Sequence, residues 1–331
     1  MGLRPTDRNE QRLRDGELLA KFGSFFRGAL LPSVRRANFR NLSLALLALL
    51  SAALFAASPP TRIVSTAPSI TEMLYALGLG PNVVGDTTYC TYPADARTKP
   101  KIGTFLDPDL ERILALRPDL VLVIKNPIGV TAKLRSLGLR AEELDQDSVA
   151  DILSSLRQIG QLTGRAAAAA RLTAALRAEL DSVRRLAAAR PRRSALILVG
   201  RAPGTLQGMV GAGPGTFIDE LLQIAGASNV LASSPMQYPN VSLEQILTRD
   251  PEVILDMGDF AHAEGRPGQP ADEIVALWAA YPRLRAVSGH RVQVIASDIF
   301  VRPGPRMGEA ARALISLIHP EVAPQPEARP R

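Results

Sequence analysis

Residues 110–122 read LERILALRPDLVL and residues 243–255 read LEQILTRDPEVIL. Leucine, glutamate, isoleucine-leucine, proline, an acid, two aliphatics and a final leucine recur at the same spacing. In each copy the apolar residues keep helical spacing up to the proline, and an aliphatic run follows it. Proline cannot continue a helix, and a short apolar run beyond it reads as a buried strand. Each copy is therefore a helix–turn–strand unit, and the glutamate sits in the first turn of its helix.

The same grammar extends to both sides. RIVST (62–66) reads as a strand and SITEMLYALGL (69–79) as a helix stopped at Gly80, with NVVGDT (82–87) as the next strand. Asp107-Pro108 opens the first repeated helix, Pro118 closes it, and DLVLVI (119–124) follows. A further helix, VTAKLRSLG (130–138), leads to a short strand near 139–144. In the second half SALILVG (194–200) is a strand, and FIDELLQIAGASNVL (217–231) parallels TEMLYALGLGPNVV (71–84), with Asn229 matching Asn82. Two matches in the same order make an internal repeat. Alternating strands and helices predict an α/β chain with one parallel sheet per half, covered on both faces.

Between the halves lies RAAAAARLTAALRAELDSVRRLAAAR (165–190), built from strong helix formers and ended by Pro191. A helix of this length is a rod of ~39 Å, a stiffer link than loops, so the lobes are expected to hinge little. The expected division is a basic leader with signal peptide or anchor at 1–58, an N-terminal lobe at 59–163 and a bridging helix at 164–191. A C-terminal lobe at 192–320 and a disordered tail at 321–331 complete it.

The chain's net charge of +7 would suit nucleic acid, but its distribution does not. Residues 1–40 hold nine Arg/Lys against four Asp/Glu, a net +5, which leaves +2 for the remainder. No basic stripe with interleaved aromatics remains, so no nucleic-acid partner is expected. After RRANFR the run LSLALLALLSAALFAA (42–57) carries no charge. Its ~24 Å as a helix falls short of a ~30 Å bilayer core. A basic flank, a short apolar run and a small-residue end are the parts of a secretory signal, and an uncleaved anchor is the alternative. The folded part is then expected in the periplasm or on the outer face of the cytoplasmic membrane.

Catalytic patterns are missing. Cys90 is the single cysteine, which excludes an internal disulfide, and no histidine motif accompanies it as it would a nucleophile. His262, His290 and His319 stand apart in unrelated contexts, so each is assigned a structural or surface role and no metal site is expected. GMVGAGPGTF (208–217) lacks the Lys-Ser/Thr of a phosphate loop and reads as a hairpin and helix entry. A two-lobed α/β protein without a catalytic cluster reads as a binder with its ligand between the lobes.

Six fragments in order now carry a resemblance: RIVSTAPSITEMLYALGLG, YCTYPADAR, GTFLDPDLERILALRPDLVL, YPNVSLEQILTRDPEVIL, WAAYPRLRAVSGHRVQVI and SDIFVRPGPRMGEAARAL. Together they resemble the substrate-binding proteins of ABC importers for vitamin B12, iron-siderophores and haem, over roughly 61–320. The resemblance implies two Rossmann-like lobes joined by one long helix, no intrinsic cofactor, no enzymatic activity and a monomer when free. Among its vitamin B12-binding members, the ligand residues fall on Tyr89 of YCTYP, Phe105, Tyr238 of YPNVS, and Asp298 and Arg302 of DIFVR. Phe105 and Tyr238 stand where that pattern has tryptophans. The implied ligand is a corrinoid such as cobalamin, with a ferric siderophore or haem as the alternative. Aromatic side chains suit the broad face of such a macrocycle, and an arginine fork suits its polar rim. Asp298 and Arg302 have a second reading as a structural ion pair, and Tyr89 as loop packing.

The resemblance also gives the repeated glutamates a role. Glu111 and Glu244 fall on the family's two acids, one per lobe, that dock onto arginines of a dimeric permease with its ATPase subunits. The alternative is local: an acid near a helix N-terminus is favoured by ~0.3–1 kcal/mol. A capping box of Ser242 and Gln245 would leave Glu244 free to face outward.

Overall fold

The computed structural model describes residues 58–126, 128–259 and 268–322. Contacts divide the chain at Ser58/Pro59, and the fold concerns the unit that begins at Pro59. The apolar run 42–57, His262 and residues 323–331 lie outside the described residues. Among the described residues no helix is long and apolar enough to cross a membrane.

The first sheet has strands β1 (Ile63–Ser65), β2 (Val83–Gly85), β3 (Leu120–Ile124) and β4 (Ala141–Leu144), ordered β2-β1-β3-β4. Every pairing in it is parallel. Helices α1 (Pro68–Ala76), α2 (Leu110–Ala115) and α3 (Val130–Ser136) connect the strands in turn. Then α4 (Val149–Leu162) and the long α5 (Ala166–Ala188) lead into the second half.

There β5 (Arg193–Gly200), β6 (Met209–Gly211), β7 (Ala227–Asn229), β8 (Asn240–Val241), β9 (Val253–Asp256) and β10 (Val292–Val294) form the second sheet. Its helices are α6 (Phe217–Ile224), α7 (Leu243–Arg249), α8 (Ala271–Ala279), α9 (Arg285–Ser288) and α10 (Met307–Ile318). The parallel part runs β7-β5-β9-β10 and reproduces the order β2-β1-β3-β4. The internal repeat is thus a repeat of topology. The second sheet is not parallel throughout: β6 pairs antiparallel with the far end of β5, and β8 with β6. Here β5 is long enough to pair with β7 through Arg193–Ala195 and with β6 through Leu198–Gly200.

The two thirteen-residue copies share even an unusual backbone feature. Arg117 and Asp250, each just before the proline, have φ of 44° and 43°, the left-handed region that side chains seldom adopt. One residue in that conformation ends each helix and turns the chain into its strand. The expected start of the first copy at Asp107-Pro108 is corrected by the structure. Pro108 bridges Gly103, Asp109 caps the helix by accepting from the Arg112 N–H, and α2 begins at Leu110. Gly103 (φ +90°) is required in this loop, because a Cβ there would meet the Asp107 carbonyl oxygen at 2.5 Å.

Side chains along the central strands alternate between two buried layers. Ile63, Leu120, Leu122, Ile197 and Leu255 belong to the inner cluster, whereas Val64, Val121, Val123, Leu196 and Ile254 face the outer helices. Strands buried on both faces read as continuous apolar runs for this reason. The inner cluster is continuous across both lobes. Leu156 and Ile159 of α4, Leu176, Leu180 and Val183 of α5, and Leu314 and Ile315 of α10 join one sheet's layer to the other's. Helix α5 buries one stripe (Ala169, Thr173, Leu176, Leu180, Val183, Ala187) and spans 23 residues, ~35 Å. It packs on α4, α6 and α10, so it is embedded in a shared core rather than a free strut. At its start, a Cβ on Gly160 would stand 2.4 Å from the Ala169 Cβ; only glycine allows this approach.

Candidate ligand-binding site

Strands β1, β2 and β3 all end toward one edge of the first sheet, and the end of β3 with the segments that follow β1 and β2 carries the first wall of a cleft. Pro68, Tyr89, Phe105 and Ile124 line it, with Val301 and Arg302 from the second half opposite. The cleft holds about 470 Å³, within the range of small-molecule sites. Open parallel sheets place their ligands at this end of the strands.

The loop bearing Tyr89 is fixed from beneath. Asp86, fully buried, accepts from the Lys101 ammonium at 2.7 Å, and the same ammonium donates to the Ala96 carbonyl at 2.9 Å. The buried Cys90 thiol lies 3.2 Å from the hydroxyls of both Thr71 and Thr87. Burial pushes that thiol above its ordinary value, with the Asp86 charge adding to the effect. Cys90 is a packing residue under Tyr89.

Burial likewise pushes Asp86 from 3.8 up to about 6, against the pull of Lys101. The folded state then holds this proton more tightly than the unfolded chain. Its contribution to stability is full below pH 3.8 and lost as pH rises through about 6. Asp86→Asn removes the titration. In urea melts, the stability of the parent relative to this variant should fall by on the order of 3 kcal/mol between pH 3.5 and pH 7. A pH-independent difference would contradict the buried-carboxylate account.

Opposite, the segment 298–306 crosses from the second sheet to the first lobe. Arg302, 8% exposed, places its Nε 3.0 Å from Asp298 Oδ2 and its Nη1 3.7 Å from Glu72 Oε1. Its Nη2 donates to the Tyr89 carbonyl at 3.0 Å. Arg306 grips Glu72 with two parallel bonds, Nε to Oε2 at 2.8 Å and Nη2 to Oε1 at 2.5 Å. Its Nη1 reaches Asp298 Oδ1 at 3.0 Å, and the guanidinium stacks 4.3 Å from the Tyr92 ring centroid. Burial drives Glu72 above the usual carboxylate range, opposed by the bonds from Arg306. The forked geometry is that of an ionised carboxylate. Two acids and two arginines therefore meet under the cleft with no net charge.

The expected ligand residues are thus distributed unevenly. Tyr89, Phe105 and Arg302 line the cleft, and Asp298 supports Arg302 through the ion pair that was its alternative reading. Tyr238 is not among the lining residues; it remains 45% exposed. Partial burial, with the Asp147 charge, pushes the phenol up to about 12. Glu111 and Glu244 are exposed in the first turns of α2 and α7. Asp109 caps one helix, and the predicted box of Ser242 and Gln245 caps the other. Neither glutamate caps its own helix. His319 is buried with its Nδ1 3.2 Å from Glu321, which lies in the turn Pro320–Val322. His290 is exposed. Among the described residues no group of His, Cys, Asp and Glu is placed to hold a metal ion.

Residues 63–298 match the family model described as "Periplasmic binding protein". The vitamin B12-binding protein of Photorhabdus laumondii is 31% identical over 281 residues, 83% of this chain and 94% of that protein. The chain belongs to the periplasmic binding protein family. Among solved structures, the periplasmic vitamin B12 binding protein of Vibrio cholerae superposes with a TM-score of 0.67 at 26% identity, covering 78% of this chain and 97% of that one. A periplasmic heme binding protein from Pseudomonas aeruginosa gives 0.68 at 25% identity, covering 79% and 93%.

In this periplasmic binding protein, Glu72 and Arg306 escaped sequence reasoning. A signal existed: Glu72 is the single charged residue in the apolar helix SITEMLYALGL. A lone acid there must find a partner, because a buried unpaired carboxylate is prohibitive. Which partner was not legible locally, since Arg306 lies 234 positions away.

Proposed function

We propose that the chain captures a corrinoid and delivers it to the permease of an ABC importer, binding it without chemical turnover. The observation that carries the ligand class is the character of the cleft. Tyr89 and Phe105 present aromatic surface, and Arg302, the single charged lining residue among those described, already has its charge met by Asp298 and Glu72. Such a site suits a flat macrocycle with a neutral amide rim, which the corrin ring is. An anionic chelate would call for an uncompensated cation. The vitamin B12-binding relatives support the same reading.

A haem or ferric-siderophore ligand is the second reading. The phenol of Tyr89 in the cleft favours it, because phenolate is an iron ligand, and one structural relative binds haem. Tyr238 is proposed as an outer contact on the second lobe. The proposed location is the outer side of the cytoplasmic membrane, resting on the uncharged run 42–57 and checked by cell fractionation. Docking is assigned to Glu111 and Glu244.

Calorimetry with cyanocobalamin tests the ligand. Tyr89→Ala should weaken binding by ~1–3 kcal/mol, the worth of a lost aromatic wall. Binding of haemin but not cyanocobalamin by the parent would transfer the assignment to haem. Cobalamin binding indifferent to Tyr89→Ala and Arg302→Ala would move the site elsewhere.

A further inference from the structure

We propose that Glu72 determines the charge class of the ligand, acting through Arg302: its carboxylate neutralises the arginine that lines the cleft, and so selects an amide-rimmed ligand over its acidic counterpart. This rests on the corrinoid reading of the cleft. Glu72 is 2% exposed and does not line the cleft. It touches both arginines of the 298–306 segment, Arg306 through two bonds and Arg302 at 3.7 Å. Arg302 Nη1 is buried and makes no hydrogen bond, so Glu72 meets that end of the guanidinium through space, while Asp298 meets Nε directly at 3.0 Å.

A purely structural clamp needs one acid for one arginine. Here Glu72 and Asp298 each contact both Arg302 and Arg306. Removing one acid leaves a surplus positive charge, and Arg302 is the member of the cluster that faces the ligand. In a partly dehydrated cleft a surplus charge acts on a ligand carboxylate several-fold more strongly than in water. Removing one arginine leaves the opposite surplus. The charge count, rather than the tightness of the clamp, then sets whether a carboxylate is accepted or refused.

The test uses the whole protein with cyanocobalamin and with its monocarboxylic acids, in which one peripheral amide is hydrolysed to carboxylate. The two differ by charge at nearly constant shape. For Glu72→Gln, the acid-to-amide affinity ratio should rise at least tenfold for the isomer whose carboxylate faces Arg302. Added salt should reduce the gain. Arg306→Gln should move the ratio the other way, which keeps the proposal testable if Glu72→Gln does not fold. Glu72→Gln with Arg306→Gln restores neutrality and should return the ratio to within about threefold of the parent. A merely loosened cleft predicts that the double variant departs furthest. Folded single variants with the parent's ratio for every isomer, or a double variant that keeps the gain, would overturn the assignment. A parent that binds neither cobalamin nor its acids would instead remove the corrinoid reading.

Discussion

A chain carrying both Glu111→Arg and Glu244→Arg is expected to bind its ligand and melt like the parent, yet to support almost no permease-dependent uptake. Both side chains are exposed and neither caps its helix. Reversing them therefore costs only helix-terminus electrostatics, about 0.3–1 kcal/mol at each site. They occupy the same position in two copies of one topological unit, held in fixed relation by the core that α4, α5 and α10 carry through both lobes. A pair of like charges so placed fits a partner that is itself twofold symmetric, one cationic site per subunit. Bivalent attachment makes the loss steep: each single reversal should weaken ligand-stimulated ATP hydrolysis severalfold, and the pair should nearly abolish it. Normal uptake by a folded double variant would refute docking through these residues.

The largest stability effect is expected at Asp256, the last residue of β9. Its carboxylate accepts from Arg201 Nε at 3.2 Å, from the Trp278 indole at 2.8 Å and from the Gly258 N–H at 2.7 Å. Asp256 and Arg201 are both fully buried. Asp256→Ala leaves the Arg201 guanidinium buried without its counter-charge, which costs about 3–5 kcal/mol. For a folded unit of this size the melting temperature should fall by on the order of 10 °C. Trp278 is the only tryptophan, so its fluorescence follows unfolding directly. A loss below about 1 kcal/mol would mean that water or a rearranged loop satisfies Arg201.

By itself the sequence determined the alternation of strands and helices, the internal repeat, the long helix and the family. All of these are written locally. Apolar spacing up to Pro118 and Pro251 marks the repeated helices, and the aliphatic runs after them can be stable only as strands buried on both faces. The match of LERILALRPDLVL with LEQILTRDPEVIL needs no knowledge of where the two segments end up. Loop geometry was less legible: Asp107-Pro108 looked like a helix start, but the Gly103–Pro108 bridge holds those residues outside the helix. The antiparallel strand β8 was also hidden, because a two-residue strand carries too little periodicity to show its partner.

Only the tertiary structure decided what surrounds the cleft. It joined Glu72 to Arg306 and Arg302 across the two lobes, turned the proposed Asp298–Arg302 ligand pair into members of a neutral four-charge cluster, and left Tyr238 off the lining. Such pairings are set by which buried charges the packed core brings within reach. Burial makes pairing obligatory, but it leaves the choice of partner to the fold.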